Sequence, residues 1–311
     1  MNINGFFEEG ESSPYNNEDD FTSKSNMINI PDSITLYAIQ ELQINDGVKC
    51  WRENQNMLHA SRNIYCSVAS ESPKKEYAVN IGRSTIVRSI MSKGGIFLRD
   101  YSFISGMIKI YSLPNQLLEP NIQGNARIRT IPLCVLESQW PYKIAELPTT
   151  PTINNDFKEI FYNETYTLKN GDSFQTLKVH PGGTLLIEPG ETAIGNIQLE
   201  SGSKVQFVEP GEKTIIHLNG STIWRSRTLN EDLEEVARGF MLIQHSNETM
   251  TVEGMWAGTI FAPNADLILG QSSKTLYGKF IGRNIAVHQY SNVYNVNFEP
   301  NELTELVLRE N

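Results

Sequence analysis

Residues 184–194 read TLLIEPGETAI, and residues 205–215 read VQFVEPGEKTI. Glu188, Pro189, Gly190 and Glu191 return as Glu209, Pro210, Gly211 and Glu212, an offset of 21 positions. Apolar pairs precede the turn in both copies, Leu186-Ile187 and then Phe207-Val208. Beyond it Ile194 aligns with Ile215 and Ile197 with Leu218. Proline fixes φ and the following glycine accepts a positive φ, which is the chemistry of a type II turn. A turn recurring at this spacing predicts a corner repeated on successive windings. One winding cannot bury its own apolar residues, so each must stack on the next. The sequence therefore predicts an all-β fold, a right-handed β-solenoid (β-helix) with windings of roughly twenty residues. A sandwich, with turns every 8–12 residues or about that and no fixed register, ranks second.

Weaker repetition extends to the first half. RSTIVRSI (83–90) aligns with YSFISGMI (101–108) at an offset of 18, matching Ser84 with Ser102, Ile86 with Ile104 and Ile90 with Ile108. Leu42 and Ile44 recur as Ile96 and Leu98 at an offset of 54, which is three times 18. The chain divides accordingly: an acidic, aperiodic leader over 1–31, an N-terminal solenoid region over 32–145, a Pro/Thr-rich linker over 146–157 and a C-terminal solenoid region over 158–300. Whether the two regions form one stack is open at this point. LNEDLEEVAR (229–238) predicts one short inserted helix, with acids in its first turn and Gly239 as its stop. NELTELVLREN (301–311), with Asn301 as N-cap, predicts a C-terminal capping helix over the open end of the stack.

The formal charge of −10 and pI near 5.1 give no electrostatic footprint for nucleic acid, and they disfavour an anionic membrane surface. No run approaches the roughly 18 apolar residues of a membrane-spanning helix, so direct insertion is not expected. EEGE and NEDD stand near the N-terminus in place of a basic start and an apolar run. On that reading the chain either stays inside the cell or follows a removed leader. Cys50, Cys66 and Cys134 fall in no metal-ligand spacing. Cys50 and Cys66 either pair across one winding or remain buried thiols.

Residues 256–293, WAGTIFAPNADLILGQSSKTLYGKFIGRNIAVHQYSNV, carry the most specific text. They resemble the closing motif of bacterial cell-surface and pilus-associated β-solenoid domains. There a G-T-I-[FY]-A-P-N-A run precedes an apolar strand, a polar turn, an aromatic-Gly pair and a final strand. The matching elements are Gly258 to Ala265, Leu267 to Leu269, Tyr277-Gly278 and Gly282 to Val287. YTLKNGDSFQTLKVHPGGTLLIEPG (166–190) is similar to the stretch that precedes the motif in such domains. The resemblance implies a scaffold or adhesive role at the cell surface or outside the cell, with other surface or appendage proteins or glycans as partners. It brings no cofactor and no shared active site, and the inserted helix departs from its pattern.

Polysaccharide lyases and hydrolases also use β-helices, and they need convergent carboxylates. Glu188, Glu191, Glu209 and Glu212 flank turns, where a Glu is ordinarily a solvated corner residue. Stacked corners would bring Glu188 near Glu209 and Glu191 near Glu212, a column that could attract calcium. His59, His180, His217, His245 and His288 form no HxH or HExxH spacing. Trp224, Tyr277, Tyr290 and Tyr294 fall in or beside strands and are candidates for stacking on sugar rings, against the alternative that they fill the core. The leading expectation is a non-enzymatic structural or adhesive module. The rivals are a polysaccharide-binding or polysaccharide-cleaving β-helix and a self-assembling solenoid filament.

Overall fold

A computed structural model describes residues 34–52, 66–74, 76–111, 119–128, 134–135, 140, 144, 146–271 and 275–300. The expected acidic leader, 1–31, and the expected capping helix, 301–311, lie outside the described residues. The described chain is almost wholly β-strand, and every strand pairing in it is parallel. Short strands with alternating burial explain why. In Lys204–Phe207, Val205 and Phe207 point inward while Lys204 and Gln206 face solvent, the two-residue period of a strand that buries one face.

The strands assemble into three ladders. One runs from the first half of Gly190–Leu199 through Thr214–Leu218, Phe240–Gln244, Thr259–Ala262 and Phe280–Gly282. It continues without a break into Ile34–Ala38, Ser67–Ser70, Ile90–Ser92, Ile108–Ile110 and Cys134–Val135. The second begins at Phe157–Ile160 and ends at Asn121–Ile122. The third comprises a four-stranded sheet, Thr165–Leu168 to Arg227–Thr228, and a seven-stranded sheet, Trp256–Ala257 to Arg127–Ile128.

The two halves therefore share one stack, in an order opposite to the sequence. The C-terminal region supplies the first rungs and the N-terminal region is laid on its end. The seam pairs Leu36 with Phe280, Leu42 with Ile285 and Cys50 with Val293. One buried apolar cluster runs through both halves.

The connection between the halves, with Trp140 and Ile144 from the expected N-terminal region and Leu147 from the expected linker, acquires a role that its composition did not show. It must return from the last rung, at Val135, to the first, at Phe157. On the way, Trp140, Ile144 and Leu147 pack against the outer face of the first ladder. That face carries an apolar column, Met91, Ala69, Tyr37, Ile281, Phe261 and Ile243, aligned rung on rung. The Trp140 indole N–H donates to the Tyr37 hydroxyl at 2.7 Å, and Lys93 sits 5.1 Å from the Trp140 ring centre. The first ladder is thus buried on both faces, as parallel sheets generally are.

The repeat register needs correction in detail. Pro189 and Pro210 do occupy the same corner, between third-ladder and first-ladder strands, and Gly190 and Gly211 hold φ of +130° and +91°. Yet Ile187 pairs with Phe207, whereas Ile194 pairs with Leu218, not Ile215. Residues 188–189 make the first corner and 208–213 the second, so the register jumps there. In the first half Ile90 does pair with Ile108, while Ile86 pairs with Phe103 instead of Ile104. The offset of 54 is real but spans two rungs, Leu42 to Val79 to Ile96, not three. The step from Leu42 to Val79 takes 37 positions and the step from Val79 to Ile96 takes 17.

The inserted helix is present at Leu233–Gly239, shorter than expected. The Asp232 carboxylate caps it by accepting from the Glu235 N–H, and Arg238 pairs with Glu234. Cys50 and Cys66, with Cα atoms 5.2 Å apart, are joined by a disulfide. No described helix is long and apolar enough to cross a membrane.

Candidate functional site

The four aromatic residues expected to stack on sugars do not form one platform. Trp224 is corrected outright. It is 1% exposed, and its ring meets Trp256 edge to face at 4.9 Å, with Phe240 alongside. Its position on the strand points inward, so it fills the core. Tyr290 is 64% exposed at a corner, in a left-handed conformation with φ of +62°. One side of its ring covers Gly47, where an added Cβ would lie 2.5 Å from it.

Tyr277 and Tyr294 stand together on the outer face of the seven-stranded sheet. Their rings stack at 4.5 Å with 10° between planes. Each occupies a face of the other, so the pair presents mainly ring edges to solvent. Burial raises both phenol pKa values, and for Tyr277 the charges of Tyr294, Glu234 and Asp232 add to the effect. Trp51 continues this column, because it shares a rung with Tyr294. Its indole N–H donates to Asn292 Oδ1 at 3.2 Å. Sequence reading missed Trp51. Comparing KCWR (49–52) with NVYN (292–295) as a repeat running from the end of the chain back to its start would have found it.

The Tyr277-Gly278 pair has a packing reason. Gly278, at φ +127°, lies against Gly258 so closely that a Cβ would sit 1.8 Å from the Gly258 carbonyl oxygen. The adjacent Gly254 and Gly258 corners let the Trp256 indole donate to the Gly258 carbonyl at 2.8 Å.

Glu191 does not stack on Glu212 in the ladder. Glu191 falls on a rung with Ile215 and pairs with Lys213 at 2.9 Å. That bond holds its carboxyl below the usual range. Among the described residues no group of His, Cys, Asp and Glu has the arrangement of a metal site.

Two histidine clusters emerge that spacing alone did not show. His180 stacks on Phe161 at 4.7 Å and lies between Glu159, at 3.5 Å, and Glu200, at 3.6 Å. The imidazole fills the space between these carboxylates, where a hydrolytic pair would need a substrate. On the first ladder His217 Nδ1 lies 2.9 Å from His245 Nε2, and His217 Nε2 lies 3.9 Å from Glu191. Desolvation outweighs that carboxylate and lowers the His217 pKa. His245 is pushed down to about 4, by burial first and then by the His217 charge. Beside Gly195 a polar groove of about 490 Å³ is lined by Gln175, Asn196, Asn219, Ser221 and Glu248. His288 sits in a corner, its carbonyl accepting from the Ser291 hydroxyl, and His59 lies outside the described residues.

What remains most distinctive is the outer face of the seven-stranded sheet beyond the tyrosine pair. Lys49, Ile86, Phe103 and Arg127 form one column, with Trp51 beside it and exposed Arg88 two residues past Ile86. Asn292 and Thr275 precede Lys49 in the same column. No outward strand position on this sheet carries a carboxylate. No protein-family model, curated protein or solved structure matches this chain.

Proposed function

We infer that the chain is a right-handed β-solenoid and serves as a rigid, non-enzymatic structural or adhesive module of a bacterial surface or appendage. The observation that carries this reading is the seam. Backbone pairing continues across it in all three ladders, so rungs from both halves form one stack around one interior. Parallel strands joined by such returns are right-handed in the great majority of cases. The strap at Trp140 and the Cys50–Cys66 bridge brace that stack, and a disulfide is at home in an oxidising compartment. The closing-motif resemblance supplies the surface setting.

The first rung argues against a filament. Lys158 and Tyr166 share rungs with the buried residues Leu177 and Leu185 and so occupy inward positions. Lys158 Nζ lies 4.2 Å from the Tyr166 ring centre, and the Tyr166 hydroxyl meets Asp172 at 3.2 Å. An inward charge at a terminal rung is a known guard against edge-to-edge growth. The test combines electron microscopy and solution scattering of the full chain with incubation on a polysaccharide panel. Elongated monomers that release no new chain ends are expected. A compact particle, concentration-dependent filaments or released oligosaccharide would each overturn the reading.

A further inference from the structure

We propose that the outward face built by Lys49, Trp51, Ile86, Arg88, Phe103 and Arg127 binds an acidic, uronate-type polysaccharide. This rests on the non-enzymatic reading above and names the ligand class of such a module. The chain carries 36 Asp and Glu against 26 Lys and Arg, yet none of the acids takes an outward strand position on this sheet. Lys49, Arg88 and Arg127 are exposed and have no ion-pair partner among the described residues. Acids do occur at the borders of the sheet: Asp232 and Glu234 of the inserted helix act on Tyr277 at one end, and those at the neighbouring corner are engaged with backbone. Asp46 accepts from the Arg83 N–H at 2.8 Å and Asp100 from the Asn125 N–H at 3.1 Å. Exposed Arg83 and Arg99 stand beside them.

Spacing selects the polyanion. Lys49 and Arg127 are three rungs apart, roughly 14 Å at the usual strand separation. Duplex nucleic acid presents a charge about every 1.7 Å and calls for a far denser set of cations. A polysaccharide with one carboxylate per sugar suits sparse cations along a ladder whose rung spacing is close to the length of a pyranose ring. Between the charges, Ile86 and Phe103 give apolar ground for the sugar C–H faces, and Trp51 extends it sideways.

The test measures retention of polygalacturonate and of neutral dextran by the full chain, with salt titration. Salt-sensitive binding of polygalacturonate alone is expected. The double variant Lys49→Glu/Arg127→Glu should lose it by tenfold or more, while circular dichroism and thermal unfolding report an intact fold. Phe103→Ser should weaken it several-fold at unchanged salt sensitivity, a readout that a purely electrostatic surface would not give. Equal retention of dextran, or undiminished binding by the double variant, would overturn the proposal. Residues 1–33 carry seven acids and one lysine and are a rival occupant. Binding that appears only in a chain lacking them would assign the face to that segment and overturn the proposal as well. Cleavage of polygalacturonate would refute the non-enzymatic reading while leaving the binding face in place.

Discussion

The windings from residues 34–135 and those from residues 157–300 use the same ladders for opposite surfaces. The first set carries 12 Lys and Arg against 7 Asp and Glu, and the second 11 against 16. In the C-terminal windings cations meet acids on or near adjacent rungs: Lys178 with Glu200, Lys213 with Glu191, Arg225 with Glu253 and Arg283 with Asp266. In the N-terminal windings Lys74 and Lys93 are paired, but Lys49, Arg88 and Arg127 point outward without such partners among the described residues. Both interiors are built mainly of Leu, Ile and Val, and the C-terminal windings add a buried aromatic cluster of Trp224, Phe240 and Trp256. The lesson is that inward positions are fixed by stacking, whereas outward positions are free to differ in charge. Function is therefore best sought on the outward side.

The largest expected effect breaks the aromatic core that distinguishes the C-terminal windings. Trp256→Ala removes a fully buried indole packed on Trp224 and Phe240 and should cost about 4 kcal/mol in denaturant unfolding. If the seam couples the halves, tryptophan fluorescence and far-ultraviolet dichroism shift together. Separate transitions would mean that the halves unfold independently.

Next, opening the Cys50–Cys66 bridge should cost about 3 kcal/mol, since it closes a loop of 16 positions in the N-terminal windings. Alkylation in denaturant before reduction should spare Cys50 and Cys66; labelling of either would refute the bridge.

The C-terminal windings carry the acid sensitivity. Unfolded histidine titrates near 6.5 by the usual reference, and folding depresses His217 and His245. Their stabilising contribution is complete above about pH 6.5 and declines as pH falls, that of His245 being lost toward about pH 4. After allowance for partial exposure the His245 share is about 2 kcal/mol. His245→Gln should flatten stability against pH across that window, and an unchanged slope would remove the pair from the account. The smallest effect belongs to a surface pair. Arg283→Ala should cost about 0.5 kcal/mol or less, because Asp266 keeps its bond to Asn284; a loss above about 2 kcal/mol would show that the corner is structural.

Much of this was legible in the residues. The Glu-Pro-Gly-Glu recurrence located the shared corner, Leu229 to Arg238 announced the helix, and apolar alternation marked the strands. The site was less legible. Trp224 looked like a wall residue because alternation does not say which parity faces inward until a winding closes. Trp51 and Tyr294 share a rung across almost the whole chain, so no local pattern joined them. The strap was not legible because Trp140 and Ile144 fell in the expected N-terminal region, Leu147 fell in the expected linker, and the three are spaced for no regular element.

Local chemistry in the chain determined the element type and the turn positions, since φ preferences and two-residue burial act over short separations. Tertiary structure alone decided the order of the stack, the register across unequal corners, the strap along the first ladder and the sheet whose outward strand positions carry no carboxylate. Those depend on which windings bury each other's edges, and a parallel ladder accepts any neighbour with matching inward side chains.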